Sequence, residues 1–110
     1  MPYYSWSQMP CRERLGNRTL RLLCSDRSTV LMVEHVGPAM HGPHVHEESE
    51  QICSLLEVEM ELTLGDETRT VRPGDIVVVP AGVAHGTRVP AGVKAVALEF
   101  FSPPRHDLKP

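Results

Sequence analysis

His44-Val45-His46, four further residues and then Gln51 bring three metal-binding side chains close together, and His85 follows later in the chain. Histidines at i and i+2 on an extended segment point to the same face. A third imidazole and an amide oxygen could complete a sphere around one ion. All four donors are neutral, so a bound divalent metal would keep its full charge and act as a strong Lewis acid.

A second chemical candidate lies near the C-terminus. On an extended Val93–Phe101 segment, Ala95, Ala97, Glu99 and Phe101 share one face, and Val96, Leu98 and Phe100 share the other. The small alanines leave room in a barrel interior, and a carboxylate beside that room would be desolvated. Pushed up by burial and down by a metal or by Arg105, Glu99 suits acid–base work; the competing reading is a solvent-facing acid at a strand end. Arg105 follows two prolines, and its fork suits a substrate carboxylate, although an arginine in a tail is commonly just solvated. Phe101 reads as core packing or as a substrate platform. His35 and His106 read as structural or exposed, and His41 as at most a support to the ligand loop. Glu47, Glu48 and Glu50 read as a solvated acidic run, with Glu50 facing away from Gln51.

The elements that must position these residues are short strands. Ten prolines and eight glycines punctuate the 110 residues, and from position 37 onward they bracket short apolar runs, as in an all-β domain. Strands are expected at 18–24, 28–36, 44–46, 51–57, 59–64, 67–71, 76–79, 86–89 and 93–101. Leu64-Gly65-Asp66-Glu67 supplies a hairpin turn. The run Ile76-Val77-Val78-Val79 does not alternate, so both its faces should be covered. Only the first fifteen or so residues could hold a helix, limited by Pro2 and Pro10. The sum is one domain over 1–110, a small sandwich or barrel of antiparallel strands.

Composition narrows the partners. A net charge of −3 leaves no basic stripe for nucleic acid. No apolar run reaches the roughly 20 residues that span a bilayer, and the N-terminus lacks the basic start and apolar core of a signal peptide. Cys11, Cys24 and Cys53 are odd in number and irregular in spacing, so free thiols in a reducing cytoplasm are expected.

These residues resemble the cupin superfamily. Its first motif, G(X)5HXH(X)3–4E(X)6G, is matched by His44, His46, Gln51 and Val58, and its second, G(X)5PXG(X)2H(X)3N, by Gly74, Pro80, Gly82, His85 and Val89. The motifs span 44–58 and 74–89. Gln51 stands where most cupins have glutamate, Val58 replaces a turn glycine, and Val89 replaces a terminal asparagine. With valine at 58 the backbone there is expected to avoid positive φ. The ending Leu98-Glu99-Phe100-Phe101-Ser102-Pro103-Pro104-Arg105 is similar to that of KdgF-type pectin-degradation cupins, with Glu99 in place of their aspartate.

That resemblance implies a double-stranded β-helix, or jelly-roll barrel. It also implies one divalent transition metal (Zn, Ni, Fe or Mn) held by His44, His46, Gln51 and His85. Glu99 and Arg105 would be catalytic, and Phe101 and Arg105 would meet the substrate. The activity implied is a non-redox isomerase or cyclase converting small acidic substrates, such as unsaturated uronates, to linear keto forms. The competing functions are a polyketide cyclase, a metal-dependent dioxygenase and a non-catalytic small-molecule-binding cupin. A barrel of this size with an exposed apolar sheet face should pair as a homodimer, and 18–24 is a candidate for an exchanged strand.

Overall fold

Alternating apolar residues between Gly- and Pro-containing turns produce ten strands among the described residues, which in this computed structural model are 3–14, 17–105 and 107. They are β1 (Cys11–Arg14), β2 (Arg18–Cys24), β3 (Thr29–Val36), β4 (Ala39–His44), β5 (Glu50–Glu57), β6 (Met60–Leu64), β7 (Glu67–Val71), β8 (Ile76–Val79), β9 (His85–Val89) and β10 (Lys94–Ser102). A six-stranded sheet has the order β1-β2-β3-β10-β5-β8, and a four-stranded sheet the order β4-β9-β6-β7. Every pairing is antiparallel. The long crossovers between two facing sheets make a jelly roll.

The inward faces supply the core. Leu20 and Leu22 on β2, Leu31 and Val33 on β3, and Phe101 on β10 form one buried cluster. Cys53, Leu55, Met60, Leu62, Val71, Val89, Ala95 and Ala97 form another. Members of both line a polar cavity that Glu99 also faces, whereas Ala95 and Ala97 are fully buried in the core and do not belong to its wall. All three cysteines are free.

Four local expectations are corrected by the structure. No α-helix forms among the described residues near the N-terminus: Trp6–Gln8 is a single 3₁₀ turn, and Cys11–Arg14 adds as a strand to the open edge of β2. The first ligand strand is Ala39–His44 rather than 44–46. It sits at a sheet edge, where Pro43 removes no interior ladder bond, and His46 lies beyond its end. The 76–79 run is not covered on both faces, because β8 is an edge strand whose outer residues Ile76 and Val78 are 66% and 50% exposed.

Val58 is the fourth correction, with φ at +63°. It joins Glu57 at the end of β5 to Met60 at the start of β6, and so tight a reversal takes the left-handed conformation whatever the side chain. A β-branched residue there costs roughly 1–2 kcal/mol. Part of the gain on replacing it is offset because glycine gives the unfolded chain more conformational entropy to lose on folding. Val58→Gly is therefore expected to stabilise the fold by about 0.5–1 kcal/mol, raising Tm by a few degrees in a thermal melt.

Candidate metal centre

The pairing of β4 with β9 brings the first two histidines together. His44 and His85 are direct cross-strand partners, next to a register shift between His41 and His44. Two glycines allow this close approach. A Cβ on Gly42 would lie 2.6 Å from the His85 carbonyl oxygen, and one on Gly86 would lie 2.6 Å from that of His41. Gly42 also has φ of +92°, which only glycine takes cheaply. The chain then turns so that His46 joins the pair. Ring centroids are 4.3 Å apart for His44–His85, 4.9 Å for His46–His85 and 5.0 Å for His44–His46. One ligand nitrogen from each lies within 4.8 Å of the others.

The polar atoms around the triad face inward with specific polarity. His85 Nδ1 lies 3.1 Å from the Val83 carbonyl oxygen. A carbonyl can only accept, so Nδ1 carries a proton, and in the neutral ring Nε2 is then the nitrogen with the lone pair. Across the cavity, Gln51 Nε2 donates to Glu99 Oε1 at 2.6 Å, which leaves the amide oxygen as the group for an incoming partner. Gln51 Oε1 and His85 Nε2 are both buried without a hydrogen bond. Two orphaned buried acceptors cost about 1–3 kcal/mol each, and a cation held between them would satisfy both. The donor set therefore fits a divalent metal on its chemistry.

Protonation also favours metal binding. Desolvation, reinforced by neighbouring positive charges, holds His44 and His46 at about 4. Both are neutral at physiological pH, with lone pairs available. Burial pushes Glu99 upward, while Arg18 and Arg105 pull it down. Its side chain is 13% exposed, and Oε2 lies 3.9 Å from His35 Nε2. Burial and the Glu99 charge push the Cys53 thiol up, leaving it inert as a nucleophile.

Every ligand candidate in the sequence, together with Glu99 and Arg105, lines this one cavity. The cavity offers about 100 Å³ for the centres of water-sized groups. One water needs roughly 10–15 Å³, so there is room for an ion, its waters and a small organic ligand. Phe101 is 1% exposed and belongs to the core. Its ring meets His46 at 5.2 Å and carries the Arg105 guanidinium 4.8 Å above it, so it packs behind two residues of the cavity wall without lining the cavity itself. Glu50 is exposed and faces away from Gln51. His106 lies outside the described residues.

Sequence reasoning passed over Arg18 and Asp107, read His35 as structural or exposed and gave His41 at most a supporting role; all four are in the cavity wall. For two of them a signal was present. Arg18 is in phase with inward Leu20 and Leu22, and His35 is in phase with inward Leu31 and Val33. His35 is 2% exposed and is held at about 3 by burial, with smaller effects of His41 and Arg18. The unfolded chain, with its histidine near 6.5, binds more protons between those two values, so stability falls as pH drops through that window. At pH 4.5 the loss from His35 alone is about 2–3 kcal/mol, at ~1.4 kcal/mol per unit. Thermal melts of metal-free protein between pH 7 and 4.5 check this.

The family profile described as "Cupin domain" matches residues 30–101. The chain is a cupin. Solved structures agree with this fold over nearly the whole length. KdgF from Halomonas sp. superimposes with a TM-score of 0.90 at 22% identity, covering 99% of each chain. An RmlC-like cupin from Shewanella frigidimarina gives 0.88 at 20% identity, covering 97% of this cupin and 95% of that chain. The polyketide cyclase RemF from Streptomyces resistomycificus gives 0.81 at 25% identity, covering 93% and 79%. None of the curated proteins matches the chain.

Proposed function

We propose that this cupin is a metal-dependent enzyme that catalyses a non-redox isomerisation or cyclisation of a small acidic carbonyl or sugar-acid substrate. An unsaturated uronate opening to its linear keto form is the leading case. The observation that carries this reading is a set of imidazole and amide donors, His44, His46, His85 and Gln51, sharing one small cavity with a buried carboxylate that bonds Gln51. A bound divalent transition metal, whether Zn, Ni, Fe or Mn, would supply Lewis acidity there. Glu99 holds and moves the proton, since opposed influences on its charge make both protonation states accessible. Arg105, stacked on Phe101, anchors the substrate carboxylate at the cavity mouth.

The test is elemental analysis of purified protein, followed by an assay on 4,5-unsaturated galacturonate. Loss of absorbance from the substrate double bond supports the proposal. Polyketide ring closure is the second reading, favoured by the likeness to the cyclase RemF, and it uses the same Lewis-acid site. Activity of the zinc form without oxygen separates both from a dioxygenase. An intact metal set with no turnover on any of these substrates points to a non-catalytic binder.

The proposal includes pairing with a second copy. Val30, Phe100, Ile52 and Val78 are successive cross-strand neighbours on β3, β10, β5 and β8. Phe100 and Val78 are exposed, along with Leu56 and Ile76 on the same sheet. Stacking two such faces buries this surface, and sedimentation at micromolar concentration reads the outcome. β2, the segment considered for exchange, pairs with β3 of its own chain. The free thiols support a reducing compartment such as the cytoplasm.

A further inference from the structure

Arg105 already holds a carboxylate. Its Nε donates to Asp107 Oδ1 at 3.2 Å and its Nη2 to Oδ2 at 2.6 Å, a two-pronged pairing that occupies the Nε–Nη2 edge of the guanidinium. The arginine is well placed for a ligand in every other respect. Its guanidinium lies 4.8 Å above the Phe101 ring, and its backbone N–H donates to Thr29 Oγ1 at 3.0 Å. The Arg105 side chain is 21% exposed and that of Asp107 64%, so the acid sits on the solvent side of the arginine. Both residues line the cavity and also the outer groove beside His46 and Ser49. The pair forms the wall between the two.

We propose that Asp107 is a built-in competitor for the substrate carboxylate, and so determines which acids this site accepts. The inference rests on the reading of Arg105 as substrate anchor. A carboxylate ligand reaches that Nε–Nη2 edge only by displacing the tethered Asp107, one planar two-oxygen acceptor replacing another. A short tether gives an effective concentration on the order of millimolar. A simple monocarboxylate at lower concentration therefore loses the exchange. A carboxylate that also carries an oxygen reaching the histidine cluster makes a second contact and wins it. The ligand class is thus a small acid with a second donor oxygen, and plain fatty or aliphatic acids are rejected. Displaced, Asp107 swings into the solvent that it already faces.

The experiment is an NMR titration of the Arg105 Nε–H signal with acetate, on the purified parent protein, Asp107→Asn and Asp107→Ala. Asp107 is mostly exposed, and two different replacements guard against a folding artefact in either one. Removing the competitor is expected to tighten acetate binding about tenfold, and calorimetry should show the gain vanish in Arg105→Gln/Asp107→Asn. Equal acetate affinity in parent and variants overturns the proposal, and so does a gain that survives loss of Arg105. Acetate binding at Arg105 needs no turnover. Failure of the uronate assay would therefore refute the proposed reaction and leave this result standing, and the reverse also holds.

Discussion

Glu99→Gln is expected to lower turnover by about 10²- to 10⁴-fold, the range for loss of a positioned acid–base group, with metal content unchanged. The geometry explains the second half of that result. Glu99 Oε1 accepts from Gln51 Nε2, and the amide oxygen of a glutamine at 99 can accept the same bond. Gln51 then keeps its oxygen toward the histidines. The new amide N–H faces His35, which is neutral and able to accept. Glu99→Ala behaves differently, because it removes both the proton carrier and the acceptor that orients Gln51. Loss of an outer partner of this kind typically costs 10- to 100-fold in metal affinity. Steady-state rates paired with metal analysis of both variants separate the two roles. Full turnover by Glu99→Gln would sink the assignment.

His85→Ala should abolish metal retention, with affinity falling by more than the roughly 100-fold upper range for an outer partner. Of the candidate donors, His85 is the most completely prepared to bind an ion. It is buried, the Val83 carbonyl sets its tautomer, and its Nε2 has no other partner. It also sits directly opposite His44 across the β4–β9 pair, so nothing else on β9 can take its place. Dialysis against a metal buffer followed by elemental analysis measures the loss directly. A variant that retained stoichiometric metal would place the ion elsewhere.

Most of the barrel was readable from residue order because its punctuation is local. Gly65 and the Pro73-Gly74 step end runs whose alternation already shows which face turns inward, and strand bounds at 18–24, 67–71 and 76–79 agree with the structure. What could not be read depends on partners distant in sequence. β1 is a strand only because β2 presents an open edge. β4 carries Pro43 and is still a strand because β9 lies beside it, and Val58 takes a left-handed conformation because β5 must reverse into β6. The site divides along the same line. His44, His46, Gln51 and His85 were legible from spacing. Arg18 and His35 show only that they face inward, His41 only that it precedes the ligand loop, and Asp107 shows nothing; sheet register and the tail's return to the mouth bring them together.

The donors come from opposite walls. His44 and His85 belong to the four-stranded sheet, whereas Gln51, steadied by Glu99, belongs to the six-stranded one. An ion held by residues of both sheets would act as a rivet between the walls, resisting the breathing by which a sandwich begins to open. Such binding stabilises the folded chain by RT ln(1 + [metal]/Kd), about 4 kcal/mol at a thousandfold excess over Kd. A shift of that size changes how much protein survives cellular proteolysis. The abundance of this chain would then follow the supply of its metal, and scarcity would remove the protein as well as silence it.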